Sequence, residues 1–151
     1  MELECTCSAL RMAARRLSQA YDAALAPERI TVSQYAMLSS LARCPAGDRP
    51  TMQDLADALA LDRTTLAHNL RPLLRDGLVA VEPDPLDRRQ RRIRLTPHGR
   101  TKRDRCLPLW RDVQDRFEAG FGREPSRALR ASLTDIADRP YAAASTAIKG
   151  R

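Results

Sequence analysis

The residues of this chain best suited to metal, nucleophilic or redox chemistry are four cysteines and two histidines: Cys5, Cys7, Cys44, Cys106, His68 and His98. Zinc sites draw their ligands from closely spaced pairs, and the Cys-x-Cys at positions 5 and 7 lacks a second close pair. The sequence shows no evident Ser/His/Asp or Cys/His set and no glycine-rich phosphate loop. We therefore expect no metal and no cofactor, and we do not expect an enzyme.

The arginines are the second group with recognisable chemistry. The chain has 26 basic and 19 acidic residues, a net charge of +7, and every basic residue except Lys102 and Lys149 is arginine. Arginine is the better donor to phosphates and guanine edges, which favours a polyanionic partner. A GC-rich genome would produce the same bias without a functional cause. Aromatic residues make up 4%, a poor supply for a protein that binds single strands by base stacking.

The sequence gives no sign of a membrane or export segment. No apolar run approaches the ~20 residues that a membrane-spanning helix needs. The acidic start, Met-Glu-Leu-Glu, lacks the basic and apolar regions of a signal peptide. We expect a cytoplasmic protein without a membrane partner.

Two short helices separated by a tight break must position the arginines. Thr51-Met-Gln-Asp54 is an N-cap signature that opens the first helix, and Asp62 caps a second that ends before Gly77. The second helix has Pro72 inside it and one apolar stripe, formed by Leu66, Leu70, Leu73 and Leu74. At 100° per residue its opposite face carries Thr64, His68, Arg71 and Arg75, with Thr65 and Asn69 on the flanks, and we expect this face to meet the polyanionic partner.

After Gly77 the hydrophobic period changes from helical to alternating. Residues 78–81 and 92–95 are predicted to be paired strands, and the segment between them is polar and basic. We expect a solvent-facing wing, about residues 78–95, rather than a core element. A helix–turn–helix followed by a basic hairpin is a winged helix, in which the second helix enters the major groove of DNA and wing arginines reach phosphates or the minor groove.

Helical patterns flank this core on both sides. Residues 5–25 form a first amphipathic pattern, and Thr31-Val-Ser-Gln34 is a capping box for a short second helix. Thr96-Pro97 begins a long helix toward Gly120, residues 120–125 are a break, and Ser126 is predicted to cap a last helix. The predicted fold class is mainly α with a small β-hairpin wing.

A family resemblance rests on two stretches of this region. Residues 55–79, LADALALDRTTLAHNLRPLLRDGLV, resemble the DNA-binding core of the MarR family of bacterial transcription regulators. Asp87-Arg-Arg89 through Leu95-Thr-Pro-His-Gly99 is similar to that family's Asp-Arg-Arg…Leu-Thr-x-x-Gly signature. The resemblance covers roughly residues 8–137. It implies a homodimer on a pseudo-palindromic operator, with residues 1–30 and 97–140 for dimerisation, 31–96 for DNA binding and 141–151 as a tail.

Carried over residue by residue, the resemblance implies roles in DNA binding for Thr64, Thr65, His68, Asn69 and Arg71 on the recognition helix and for Arg88 and Arg89 on the wing. It gives Asp87 a pairing role that orients an arginine. The alternatives are helix-start chemistry for the two threonines and a solvated face for the arginines. Family members usually repress promoters and release DNA when a small ligand or an oxidant acts. Tyr21 and Trp110 line the implied ligand pocket or belong to the core.

Cys7 and Tyr21 resemble the sensor of the family's hydroperoxide-sensing branch. There a cysteine early in the first helix is oxidised to a sulfenic acid, and a tyrosine on that helix, at the position of Tyr21, holds its thiolate. The branch's second tyrosine falls at Val32 here, with Tyr35 three residues away, and losing that hydroxyl weakens thiolate stabilisation. The alternative is that Cys7 is a small buried hydrophobe.

The sequence thus predicts a sequence-specific DNA-binding transcriptional regulator. The expected form is a dimeric repressor that a small effector or cysteine oxidation releases from its operator. The alternative is a non-regulatory architectural DNA-binding protein. An operator preference of roughly 10³-fold or more separates the first from the second.

Overall fold

The structure is a computed structural model that describes residues 5–45, 49–84, 87 and 89–139. Its order of helices and strands confirms a mainly α chain with one β-hairpin. The elements are α1 (Thr6–Leu25), a 3-10 turn (Ala26–Glu28), α2 (Val32–Arg43), α3 (Met52–Ala58), α4 (Arg63–Arg75), β1 (Val79–Pro83), β2 (Arg91–Leu95), α5 (Pro97–Phe121) and α6 (Arg123–Asp138). The predicted tail, residues 141–151, lies outside the described residues.

The chain divides into two compact units, one ending at Arg116 and the other beginning at Phe117. The first unit holds the helix–turn–helix, the hairpin and a core whose deeply buried members include Leu25, Met37, Leu38, Leu55, Leu66, Leu70, Leu73, Leu78 and Ile93. In the described part of the chain no helix is both long enough and apolar enough to cross a membrane.

The apolar stripe of α4 is confirmed for three of its four leucines. Leu66, Leu70 and Leu73 are buried, whereas the side chain of Leu74 is 40% exposed. The prediction for Leu74 was wrong because its direction on the helix is about 80° from that of Leu66, at the edge of the stripe. The buried face of α4 is therefore narrower than the sequence pattern indicated.

The hairpin is antiparallel, with Val79 opposite Leu95 and Pro83 opposite Arg91. Both strands differ by one or two residues from the predicted spans. Leu78, Val79 and Ile93 are buried, so the base of the hairpin belongs to the core, contrary to the expectation of a purely solvent-facing wing. Alternate residues of a strand point to opposite faces, so one face packs on the helices while the other carries the charges.

Residues ahead of α3 extend this hairpin on its second strand. Thr51 forms a β-bridge with Arg92, and the Ile93 N–H donates to the Pro50 oxygen at 2.9 Å. The wing and the start of the helix–turn–helix are therefore joined by backbone hydrogen bonds.

The predicted caps of α2 and α5 are confirmed. The Thr31 hydroxyl accepts from the Gln34 N–H at 3.2 Å, and the Gln34 side chain accepts from the Thr31 N–H at 3.0 Å. The Thr96 hydroxyl accepts from the Gly99 N–H at 2.9 Å, with Pro97 as the first helical residue. These bonds satisfy N–H groups that a helix start leaves free.

The predicted cap of α6 was wrong. The helix begins at Arg123 after a junction of one residue, Gly122, whose φ is +96°. Ser126 lies buried in the first turn, where its hydroxyl donates to the Gly122 oxygen at 2.7 Å. Glycine adopts positive φ without steric cost, so one residue makes the break that was expected over residues 120–125.

Candidate nucleic-acid interface

Two caps and one strained residue set the start of α3 and the turn between α3 and α4. The Thr51 hydroxyl accepts from the Asp54 N–H at 3.1 Å, and the Asp62 carboxylate accepts from the Thr65 N–H at 2.8 Å. Hydrogen bonds from Thr51 and Thr65, respectively, lower the pKa values of Asp54 and Asp62. Ala60 has a φ of +50°, a left-handed conformation that permits the tight turn at a cost in strain.

The six predicted residues on the outward side of α4 fall into two groups according to their hydrogen-bond partners. Thr64, His68 and Arg71 are exposed, and among the described residues no side-chain partner engages them. The remaining three of the six predicted residues bond within the chain. Thr65 donates to Asp62 at 2.6 Å, the Asn69 amide donates to the Thr65 oxygen at 3.0 Å, and Arg75 pairs with Asp76 at 2.8 Å.

The partners of Thr65, Asn69 and Arg75 bear on the structural alternatives to DNA contact that the sequence left open. The bond from Thr65 to Asp62 is the helix-start chemistry that the sequence left open for the threonines. The hydrogen bond from Arg75 lowers the pKa of Asp76 and raises that of Arg75, and both side chains are strongly exposed. Thr64, His68 and Arg71 are therefore the residues of this face whose side chains have no competing partner among the described residues.

The wing arginines also divide by their partners. Arg92 pairs with buried Asp84 and donates to the Arg49 oxygen at 2.9 Å. Glu82 accepts from Arg94 at 2.5 Å and from Arg49, and the hydrogen bond from Arg94 is the main cause of its lowered pKa. The ion pair of Arg49 and the hydrogen bond to its oxygen join the wing to the segment before α3, and the other two ion pairs join the two sides of the wing.

The role of Asp87 in orienting an arginine stays a prediction. Its carboxylate accepts from the Arg89 N–H at 3.0 Å and from the Gln90 amide at 3.4 Å. Asp84 pairs with Arg92 on the second strand. Arg88 lies outside the described residues, and exposed Arg89 remains a candidate.

Sequence reasoning missed three residues near the wing. A cavity of about 560 Å³ is lined by Thr51, Met52, Gln53, Arg63, Arg89, Gln90 and Arg91. Gln53, Arg63 and Arg91 were not predicted to take part in binding. Only the basic character of residues 88–94 signalled Arg91, and nothing in the local sequence links Gln53 to Arg63, ten positions later.

A second cavity, of about 320 Å³, lies between α2, Leu59 and α5. Its lining is Val32, Tyr35, Ala36, Ser39, Arg43, Leu59, Arg103, Leu107 and Trp110. Ser39 Oγ and Arg103 Nε are buried and have no hydrogen-bond partner within the described residues. Trp110 lines this cavity, whereas Tyr21 stacks on Trp110 with ring centroids 6.0 Å apart and donates to Gln114 at 2.7 Å. Arg103 Nη1 pairs with Asp104 at 2.8 Å, so the Ser39 hydroxyl and Arg103 Nε are the buried groups left unbonded in the described part of the chain. Together with the aromatic rings beside them, these two donors suit an aromatic anion.

The four cysteines differ in exposure. Cys5 and Cys7 are exposed, Cys44 is partly buried and Cys106 is buried. Hydrogen bonds from Ser8 lower the pKa of the Cys5 thiol, which occupies the N-cap of α1. Burial raises the pKa of the Cys106 thiol to about 11. Within the described ranges no group of three or more His, Cys, Asp or Glu side chains is placed to hold a metal.

The predicted contact between Cys7 and Tyr21 is not made within one chain. Both residues lie on α1, and fourteen residues of helix separate them by about 21 Å. The Tyr21 hydroxyl instead donates to Gln114. The alternative, a buried Cys7, is not met within the single chain either, because Cys7 is exposed.

Comparisons with known proteins agree on one family. The MarR family profile matches residues 30–90. The transcriptional activatory protein BadR of Rhodopseudomonas palustris is 38% identical over 77 residues, which cover 51% of this chain and 44% of BadR. The chain therefore spans less than half the length of this relative.

Solved structures match over more of their length. A crystal structure of the M. tuberculosis transcriptional regulator MosR with DNA has a TM-score of 0.78 and 38% identity, covering 89% of this chain and 94% of that one. The transcriptional repressor CouR, bound to a 23-mer DNA duplex, has a TM-score of 0.78 and 28% identity, covering 91% and 99%. In both structures a similar chain is bound to DNA.

Proposed function

This chain belongs to the MarR family, and we propose that it is a dimeric, sequence-specific transcriptional repressor that small-molecule binding or thiol oxidation releases from its operator. The observation that carries the proposal is the sorting of polar side chains on α4 and the wing. Those that hold the fold are paired internally, and Thr64, His68, Arg71 and Arg89 remain exposed on the two elements that a winged helix turns toward DNA.

We assign these four residues separate tasks. Thr64, His68 and Arg71 meet base edges or phosphates in the major groove, and Arg89 contacts the backbone beside the wing. Thr65, Asn69 and Arg75 keep their predicted place on the DNA side, where their first task is to shape the helix. Arg88 remains a predicted wing contact.

A dimer would cover the apolar surface of the terminal helices. Met12 on α1, Phe121 at the end of α5 and Leu133 on α6 are 48%, 50% and 37% exposed. Large exposed apolar side chains favour a partner that covers them. A second copy supplies that partner and presents a second α4 to the other half of a pseudo-palindromic site.

The cavity beside Trp110 is the proposed effector site. Its chemistry fits an aromatic carboxylate, whose ring packs on Trp110 and Tyr35 while its charge meets Arg103 and its oxygens meet Ser39. A ligand that binds the DNA-free form more tightly shifts the protein away from DNA.

The test is a fluorescence-anisotropy titration at fixed salt with DNA from upstream of the protein's own gene. A preference of roughly 10³-fold over scrambled DNA supports a specific regulator, and near-equal affinities support the architectural alternative. Arg71→Ala is expected to cost about 1–3 kcal/mol on the specific site. Arg105→Ala, at an exposed position on α5, is the charge-matched control.

The two release routes are tested on the same complex. Hydroxybenzoates, used as probes of the cavity, are expected to release DNA from the wild type and from Arg105→Met but not from Arg103→Met. An organic hydroperoxide tests the thiols: Cys7→Ser is expected to keep DNA affinity and lose the response. A response that persists in Cys7→Ser and disappears in Cys5→Ser would move the sensor to Cys5.

A further inference from the structure

The described charged residues that line the cavity between α3, α4 and the wing are all positively charged. Arg63, Arg89 and Arg91 contribute guanidinium groups, and the remaining lining residues are uncharged. Three cations, with no carboxylate among the described lining residues, attract an anion with several acceptor oxygens.

Gln53 joins the two helices at the edge of this cavity. Its side-chain oxygen accepts from Arg63 Nε at 2.7 Å, and its amide nitrogen donates to Asp57 Oδ1 at 2.7 Å. Because both ends of the amide are bonded, one orientation of the Gln53 side chain is favoured. Its hydrogen bond from Arg63 links α3 to the first residue of α4.

Arg63 differs from the arginines at the wing base because its partner, Gln53, is neutral. Arg92 and Arg94 pair with the carboxylates of Asp84 and Glu82, so their charges are largely compensated. A glutamine oxygen fixes the Arg63 side chain through Nε and leaves its full charge for an external anion. Arg guanidinium groups bind phosphate oxygens in pairs, and a fixed side chain loses less freedom on binding.

We propose that this cavity binds one phosphate of the DNA backbone and that Gln53 is a positioning residue that aims Arg63 at it. The proposal rests on the DNA-binding function proposed above. One phosphate held between the first residue of the recognition helix and the wing would fix the register of both elements on the duplex.

The experiment measures DNA affinity as a function of salt for the full chain. Each phosphate contact contributes about 0.9 to the slope of log K against log salt. Gln53→Met keeps the length of the side chain and removes both hydrogen bonds. It is expected to lower the slope toward that of Arg63→Ala, so that its affinity ratio to wild type changes by about 3.5-fold between about 50 and about 200 mM salt.

Two further variants complete the design. Gln53→Met combined with Arg63→Ala is expected to bind like Arg63→Ala alone, because the two residues act through one contact. Arg105→Ala controls for the loss of one charge and is expected to keep the wild-type slope. Thermal melts establish that each variant is folded, and a folded Gln53→Met variant with an altered slope reports on the contact rather than on stability.

The outcomes separate this inference from the proposed function. A wild-type protein without salt-dependent DNA binding overturns both. A wild-type slope for Gln53→Met, or additive losses in the double variant, overturns the positioning role while DNA binding stands. Inorganic phosphate at constant ionic strength distinguishes the source: if it raises the melting temperature through Arg63 while the DNA slope is unchanged, the site takes a free anion and the DNA contact is refuted.

Discussion

Replacing Gly99 with alanine tests the junction between the wing and α5. A Cβ added at Gly99 would lie 1.9 Å from the Leu78 carbonyl oxygen and 2.8 Å from Leu95 Cδ1. Non-bonded carbon and oxygen atoms approach to about 3.3 Å, so the backbone must move by about 1.4 Å. The Leu78 oxygen also accepts from the Thr96 N–H at 3.1 Å and from the Thr96 hydroxyl at 3.0 Å, so the movement disturbs these bonds too.

The size of the effect follows from these contacts. Overpacking a filled site costs about 1–3 kcal/mol, and each weakened hydrogen bond adds about 1 kcal/mol. We expect Gly99→Ala to lower the free energy of unfolding by about 3–5 kcal/mol. For a chain of this length that corresponds to a fall in melting temperature of roughly 6–20 °C.

The same substitution at Gly120 is the matched control. Gly120 lies in the same helix, and nothing lies within 4 Å of an added Cβ. Alanine there is expected to raise stability by about 0.5–1 kcal/mol, through helix propensity. Melts followed by circular dichroism should be run at one protein concentration, because the melting temperature of a dimer depends on it. Equal melting temperatures for Gly99→Ala and wild type would refute the steric argument.

Three further predictions concern strain, thiols and acid. Ala60→Gly is expected to raise the free energy of unfolding by about 0.5–1 kcal/mol in urea titrations, because it relieves the positive φ at the turn. Near pH 8, Ellman's reagent is expected to modify Cys5 in the native protein and to reach Cys106 only on unfolding, because burial raises the pKa of Cys106 to about 11. Hydrogen bonds lower the pKa values of Asp54 and Asp62, so their stabilisation is complete above the unfolded-state pKa near 3.9 and is lost as the pH falls through the lower folded values. Acid titration is therefore expected to destabilise the wild type more steeply than a variant with asparagine at both positions.

Local signals predicted much of the first unit. Caps such as Thr31 and Asp62 act within three residues, and the α4 stripe repeats within one helix, so both can be read from a short window of sequence. The predictions for Leu74 and Ser126 were wrong because they depend on more than a short window of sequence. The exposure of Leu74 is set by the width of the packed face of α4, and the place of Ser126 by a helix junction that one glycine makes.

Contacts between distant segments could not be predicted in this way. Asp84 pairs with an arginine on the opposite strand, and Gln53 meets a residue of the next helix. Family resemblance directed attention to Tyr21, whose observed partner is Gln114 on α5. The cavity beside Trp110 brings together residues of α2 and α5 that are far apart in the sequence. Only the folded chain shows that Ser39 and Arg103 share it.

The hydrogen bonds between residues 50–51 and β2 hold the base of the wing in place independently of the residues at its tip. Its base is fixed by the backbone, by buried Ile93 and by the ion pairs of Glu82 and Asp84, none of which lies on the exposed side of the tip. Residues of the tip can therefore change while the base keeps its place. In an engineering setting, libraries confined to positions 88–91 would vary how the wing contacts DNA on an unaltered scaffold, and homologues could diverge in operator choice by the same route.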